Sequence, residues 1–200
     1  NQLAHSVLRL AAYCNWKPDL TDCIMQANDK GMRMREQKSG CPINQAMEVV
    51  GDRWSLIILR DMMFGGHRHY RALLENSLEG IASNILAARL RRLVELGLVT
   101  RNDDGHHKQK VRYSMTEKAI ELLPVVVAVG AWGRKFCQTT PELAIRARLL
   151  EEGGPEMWAA FMDELRHVHL GQERQGETTA VIAALTDAYK AAVEKSSHPG

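Results

Sequence analysis

The chain has 200 residues, 45% of them apolar, with 26 Lys+Arg against 24 Asp+Glu and four cysteines. That length suffices for a sizeable buried core in one or two domains. No stretch of roughly 18 apolar residues is present to span a bilayer. Asn1-Gln2-Leu3-Ala4-His5 lacks the basic head and long apolar block of a signal peptide, so a cytoplasmic protein with no membrane partner is expected.

The formal net charge of +2 hides a gradient. Residues 1–40 carry a net +2, residues 41–138 a net +4 (14 basic against 10 acidic), and residues 139–200 a net −4 (6 against 10). A basic middle with an acidic tail suggests a nucleic-acid-binding module with an appended piece. Between 81 and 112 stand seven cations, namely Arg89, Arg91, Arg92, Arg101, Lys108, Lys110 and Arg112, against the acids Glu95, Asp103 and Asp104. A solvated helix face beside a charged turn would look the same, so charge alone does not decide.

In chain order, Leu3, Val7, Leu10 and Ala11 fall at helical spacing, Trp16-Lys17-Pro18 interrupts them, and the polar run 33–40 reads as a linker. From Cys41 the signals sharpen. Pro42 suits a first helical turn, Ile43, Ala46, Met47 and Val50 make one apolar face, and Gly51 ends the helix. Asp52 can cap a second helix with Trp54, Ile57, Ile58 and Met62 inward and Gly65-Gly66 as its stop. A short third helix holds Tyr70, Leu73 and Leu74. Gly80 precedes a fourth, from Ser83 to Leu96, with Leu86, Leu90 and Leu93 inward and Gly97 closing it.

The period then changes. Segments 98–101 and 110–115 read as two short strands, with Asp103-Asp104-Gly105 offering tight-turn chemistry between them. Thr116 and Glu117 open a long helix through Leu122, Val126, Val129, Trp132 and Phe136, which Pro124 should kink. Three more helices are expected over 142–152, 155–170 and 177–194, with Met157, Trp158, Phe161, Met162 and Leu165 as one apolar stripe. This stripe is either packing or an effector pocket. The expected organisation is an N-terminal extension over 1–40, a core module over 41–138 and a helical extension over 139–200.

Three helices, a fourth with a basic outer face, and a basic hairpin are the order of a winged helix-turn-helix, mainly α with a small β-hairpin wing (α+β). Such a fourth helix enters the major groove, and the wing meets backbone or minor groove. Helical rotation turns Ser83, Asn84, Ala87, Ala88, Arg91 and Glu95 outward, and the helix start favours a phosphate. Arg68 and His69 near the third helix, and Lys108, Lys110 and Arg112 on the wing, are candidate phosphate contacts. Arg89, one residue from the buried stripe, fits a structural ion pair as well as it fits DNA.

The stretches Cys41-Pro42-Ile43, Gly51-Asp52-Arg53-Trp54-Ser55-Leu56-Ile57-Ile58-Leu59-Arg60 and Glu79-Gly80-Ile81-Ala82-Ser83-Asn84-Ile85-Leu86 resemble the HxlR family of bacterial transcription regulators. So do Leu96-Gly97-Leu98-Val99, Tyr113-Ser114-Met115-Thr116-Glu117-Lys118 and Ala131-Trp132-Gly133. The resemblance covers about residues 41–138. It implies a MarR-like winged helix, a homodimer built largely on the helix after Thr116, and a pseudo-palindromic operator in double-stranded DNA. Several members of the family respond to electrophiles, quinones or oxidants, which makes an electrophile or another small molecule a candidate inducer. Gly65-Gly66-His67 and Ala119 depart from the family's frequent Gly-Pro and Gly, away from the DNA-facing surface. The short Ala87 and Ala88 leave base reading to Asn84, Arg91, thymine methyl groups and DNA shape.

Cys14, Cys23, Cys41 and Cys137 form no Cys-x-x-Cys pair, so no zinc or thioredoxin motif and no cofactor is expected. Cys41 stands before Pro42 at a helix start, where dipole and free amides favour a thiolate. It matches the thiol that redox-sensing HxlR members use, and Cys137, beside Arg134 and Lys135, matches the place of their resolving cysteine. The His67/His69, His106/His107 and His167/His169 pairs have no acid or thiol at metal-binding spacing. The enzyme reading, a methyltransferase built on a winged helix, is not expected, because the 62 residues after 138 contain no Gly-rich nucleotide loop. A protein-interaction module without DNA stays as the alternative.

Overall fold

The computed structural model describes residues 39–103, 111–173 and 180–197. The chain divides into two compact units, Asn1–Cys41 and Pro42–Gly200. The expected helix near Leu3 and the cysteines Cys14 and Cys23 lie outside the described residues, and the fold below is that of the second unit.

Helix α1, Pro42–Val50, buries only Val50. It stops at Gly51, where an added Cβ would stand 2.3 Å from the Met47 carbonyl oxygen, so no side chain fits there. Asp52 caps helix α2, Arg53–Phe64, as its spacing predicts: Oδ1 accepts from the amides of Trp54 (3.0 Å) and Ser55 (3.1 Å). The buried face of α2 is Ser55, Ile58, Leu59, Met62 and Met63, centred one position beyond the expected Ile57. Helix α3, Tyr70–Glu75, inserts Leu73, and helix α4, Ser83–Glu95, buries Leu86, Leu90 and Leu93.

Gly97 ends α4 with φ +67°, and the amides of Gly97 and Leu98 close on the carbonyls of Val94 (3.0 Å) and Leu93 (2.9 Å). Those two bonds are a Schellman cap, which needs a residue free of Cβ strain at positive φ. The chain turns directly into strand β1, Val99–Asp103, antiparallel to β2, Val111–Met115, with Val99 opposite Met115 and Asp103 opposite Val111. Asp103 therefore belongs to the strand rather than to a tight turn, and residues 104–110 lie outside the described ones. His69 adds a bridge to Arg112, tying the start of α3 to the wing.

The single long helix expected after Thr116 is two. Helix α5, Glu117–Ile120, ends at Glu121, and helix α6, Leu123–Phe136, begins with Pro124 in its first turn. Proline has no N–H to donate to Ile120, so a continuous helix would lose a bond and clash there. Starting a new helix removes both problems. Further on, Pro141–Leu170, here called α7, comprises two helical arms meeting at a break, as the Gly153-Gly154-Pro155 run predicts. The kink is Gly154, at φ 60° and ψ −160°, immediately before Pro155. Helix α8, Val181–Ser197, starts on the buried Glu164 carboxylate, which accepts from the amides of Val181 (2.6 Å) and Ile182 (2.9 Å).

One core joins these elements. Leu59, Met62, Leu86, Leu90, Met115 and Ile120 share it with Leu150, Phe161, Leu165, Val181 and Leu185 of α7 and α8. The stripe from Met157 to Leu165 is thus packing, with Phe161 fully buried against Phe64 at 5.5 Å between ring centroids. The Trp158 indole N–H donates to the Leu150 carbonyl at 2.6 Å. Between packing and an effector pocket, the contacts of this stripe with the core favour packing.

Candidate nucleic-acid interface

Because Leu86, Leu90 and Leu93 face the core, the opposite side of α4 is free. Ser83, Asn84, Ala88 and Arg91 are exposed, and Ala87 is half-buried. Ala82 at the N-cap supplies no side-chain acceptor, so the first-turn amides are available to an anion. Arg91 makes no ion pair among the described residues. Its neighbours differ: Arg89 Nε lies 3.2 Å from Asp52 Oδ1, and Arg92 lies 3.5 Å from Glu95. The choice left open for Arg89 falls to the structural pair, which locks α4 against the capped start of α2.

Further side chains hold α4 in place, and none stands out in the sequence. Arg60 spans Glu79 with two hydrogen bonds (2.7 and 2.9 Å) and also binds Asp61. That hydrogen bonding holds the Glu79 carboxyl below the usual carboxylate range. Glu79 directly precedes Gly80 (φ +66°), so the turn entering α4 is fixed from α2. The Tyr70 hydroxyl donates to the Ser83 carbonyl at 2.7 Å. At the other end Lys118 Nζ reaches the Leu96 carbonyl (3.1 Å) and Thr116 Oγ1 the Gly97 carbonyl (2.8 Å). The lysine complements the negative end of the α4 dipole.

Beside α4, Arg112 on β2 and His69 are both exposed, and His69 Nδ1 lies 3.0 Å from the Val111 carbonyl oxygen. Lys108 and Lys110 lie outside the described residues. Arg68 is a correction to the expected phosphate contacts. It is 8% exposed and its guanidinium donates inward, to the carbonyls of Tyr113 (3.2 Å) and Val168 (2.6 Å) and to the Ser114 hydroxyl. A cation whose donors are spent on neutral internal acceptors is not free for a phosphate. Burial, with Arg112 nearby, lowers its pKa from the ordinary arginine value.

Next to Arg68 sits His169, also buried. Its Nδ1 accepts the Met115 amide (3.2 Å), and the buried Nε2 completes no hydrogen bond among the described residues. Burial first, then Arg68 and Arg112, push its pKa down to about 4. The imidazole is therefore neutral at ordinary pH, with its proton on Nε2. No cluster of metal-binding side chains exists among the described residues.

Cys41 and Cys137 are both exposed. The Cys41 amide donates to Ser39 Oγ (3.2 Å), and Cys137 is the C-cap of α6, its amide on the Gly133 carbonyl (2.9 Å). The two cations beside Cys137 in sequence have contacts of their own. Arg134 pairs with Glu151, and Lys135 Nζ lies 5.2 Å over the Phe136 ring.

Helix α6 presents an uncovered apolar stripe. Val125, Val129, Trp132 and Phe136 are 45, 55, 61 and 62% exposed, and Pro124, Val125, Ala128, Val129 and Trp132 line a shallow groove along it. Ile43 and Met47 on α1 are equally bare. A contiguous apolar face of this kind is larger than isolated exposed apolar side chains account for.

Known proteins share the sequence that builds this surface. The profile of the HxlR-like helix-turn-helix family matches residues 49–141. An uncharacterized HTH-type transcriptional regulator of Mycobacterium tuberculosis, MT3179, is 37% identical over 97 residues, 48% of this chain and 60% of that protein. The chain thus spans less than two thirds of that relative's length. The HTH-type transcriptional regulator YodB of Bacillus subtilis is 31% identical over 99 residues, covering 49% of this chain and 87% of YodB. The solved reduced form of YodB superposes with a TM-score of 0.43 at 30% identity, over 50% of this chain and 97% of that one.

Proposed function

This chain belongs to the HxlR-like helix-turn-helix family, and from that premise we propose that it is a sequence-specific DNA-binding transcription regulator, a repressor acting in the cytoplasm as a homodimer. The observation that carries the reading is the outer face of α4: exposed Ser83, Asn84 and Ala88, free first-turn amides, and an Arg91 with no ion pair among the described residues. Ala87 and Ala88 suit thymine methyl groups, Asn84 an adenine edge, and Arg91 a guanine edge or phosphate. Arg112 and His69 extend the contact to the flanking backbone, with Lys108 and Lys110 on the wing as further contacts. Two such helices reach half-sites of a pseudo-palindrome about 34–36 Å apart. No catalytic group is required.

Binding to duplex DNA should be dominated by phosphates, so affinity should fall steeply and linearly on a logarithmic salt scale. Fluorescence anisotropy across a salt series measures it. Binding that ignores salt, or no binding, would favour the protein-interaction module instead.

The same reading makes Cys41 the sensing thiol and Cys137 of the partner subunit its resolving thiol. Exposure of both residues supports it, and so does the place of each at a helix end. Diamide would take two protons and two electrons from the two thiols, becoming a hydrazine while an intersubunit disulfide forms. Non-reducing electrophoresis after diamide should show a covalent dimer that Cys41→Ser abolishes. An unchanged monomer band in the unaltered chain would remove the sensor role.

A further inference from the structure

Helix α7 lies almost wholly beyond the residues that the family profile matches, yet its hydrogen bonds run to the frame that carries α4 and the wing. Gly154 divides it into two arms. The first arm lies along α6, close enough that a Cβ on Gly130 would stand 3.2 Å from the Ala147 methyl, and Glu151 pairs with Arg134. The second arm ends at the root of the wing. There the Val168 carbonyl takes a donor from Arg68, and His169 accepts the amide of Met115, the last residue of β2. One turn earlier, Arg166 reaches Glu117 (2.6 and 2.8 Å), the first residue of α5, and Glu121 (2.7 Å), its C-cap. Helix α5 is the element whose Lys118 and preceding Thr116 hold the C-terminal end of α4.

These contacts form a continuous path from the uncovered stripe of α6 to both DNA-facing elements. We propose that α7 is the positioning element of the DNA-reading surface, with Arg166 its chief positioning residue: it sets α5, and through Lys118 and Thr116 the α4 helix, relative to the wing and α6. The inference rests on the regulator reading above. Arg166 does not itself face DNA, and its acid partners are half-exposed, at 48 and 57%. The Arg166 side chain is itself only 22% exposed, so truncating it also removes packing, whereas neutralising the more exposed acids isolates the loss of the ion pairs, which contribute little to global stability.

The test uses the full chain and two duplexes: one selected by the unaltered chain from a random-sequence pool, and a shuffled version of it. Arg166→Ala and the double variant Glu117→Gln/Glu121→Gln shift net charge in opposite directions, yet both remove the same pairs. Both are expected to lower the ratio of selected to shuffled affinity by roughly tenfold, and the glutamate pair should do so with the melting temperature nearly unchanged. Arg166→Lys should recover part of the ratio, because a point charge still meets the carboxylates. A merely structural role would lower the melting temperature and leave the ratio alone. Unchanged ratios in folded variants would overturn the inference by itself, and should Arg166→Ala fail to fold, the glutamate pair decides the matter. Absence of salt-dependent binding in the unaltered chain would instead remove the regulator reading, and this inference with it.

Discussion

Trp132→Glu is expected to leave a folded monomer whose affinity for the selected duplex is lower by roughly a hundredfold. Trp132 sits in the middle of the exposed α6 stripe, its ring 5.4 Å from that of Phe136. If a second copy covers the stripe, a carboxylate there must lose its water without gaining a partner, which costs several kcal/mol. Folding should be unaffected, because the side chain is 61% exposed within the protomer. A monomer can engage only one half-site at a time, which is the source of the affinity loss. Sedimentation velocity and duplex titration measure the two effects together. Leu78→Glu is the control for the oligomeric state alone, since Leu78 is 67% exposed but lies in the turn between α3 and α4, away from α6 in sequence and beside the DNA-facing helix start. A Trp132→Glu chain that sediments as a dimer would place the interface elsewhere.

Phe161→Ala should act on folding instead, lowering unfolding free energy by about 3–5 kcal/mol. Phe161 is fully buried, packs on Phe64 of α2, and belongs to the same core as Leu59, Leu90 and Met115. A loss of that size is a large fraction of the roughly 5–15 kcal/mol that holds a typical domain together. Urea denaturation should show one cooperative transition moved to lower denaturant, with α4 and the wing lost in the same step. A shift below about 1 kcal/mol, or a separate transition for α7 and α8, would contradict a shared core.

The parts of the fold that are legible in the sequence are those set by local chemistry. Asp52 caps α2 through amides two and three residues ahead, and Gly97 closes α4 through bonds to Val94 and Leu93. Such signals span a single turn and need no tertiary knowledge. The outward face of α4 is equally legible, because helical rotation places Ser83, Asn84 and Arg91 opposite the three buried leucines.

What the sequence does not reveal depends on partners far along the chain. Arg68 looks like a surface cation beside two histidines. Its acceptors Tyr113, Ser114 and Val168 lie 45, 46 and 100 residues away, and only the docking of α7 beside β2 buries it. Arg60 and Glu79 are separated by 19 residues and read singly as solvated charges. Pro124 shows the same limit in helix boundaries: it disrupts helical hydrogen bonding, but whether the helix kinks or ends and starts afresh there is set by the packing around it, whereas at Gly153-Gly154-Pro155 the break is marked locally. The appended −4 segment hides its role for this reason too: its second arm matters through Val168, His169 and Arg166, none of which forms a motif.

Whether the outer face of α4 reads DNA sequence is decided by titrating the unaltered chain and Arg91→Ala with the selected and shuffled duplexes at a fixed salt concentration. Arg91→Ala, still folded, should lose about 1–3 kcal/mol of preference for the selected duplex while keeping most of its affinity for the shuffled one. An Arg91→Ala chain with unchanged affinity and unchanged preference would contradict sequence reading by this face.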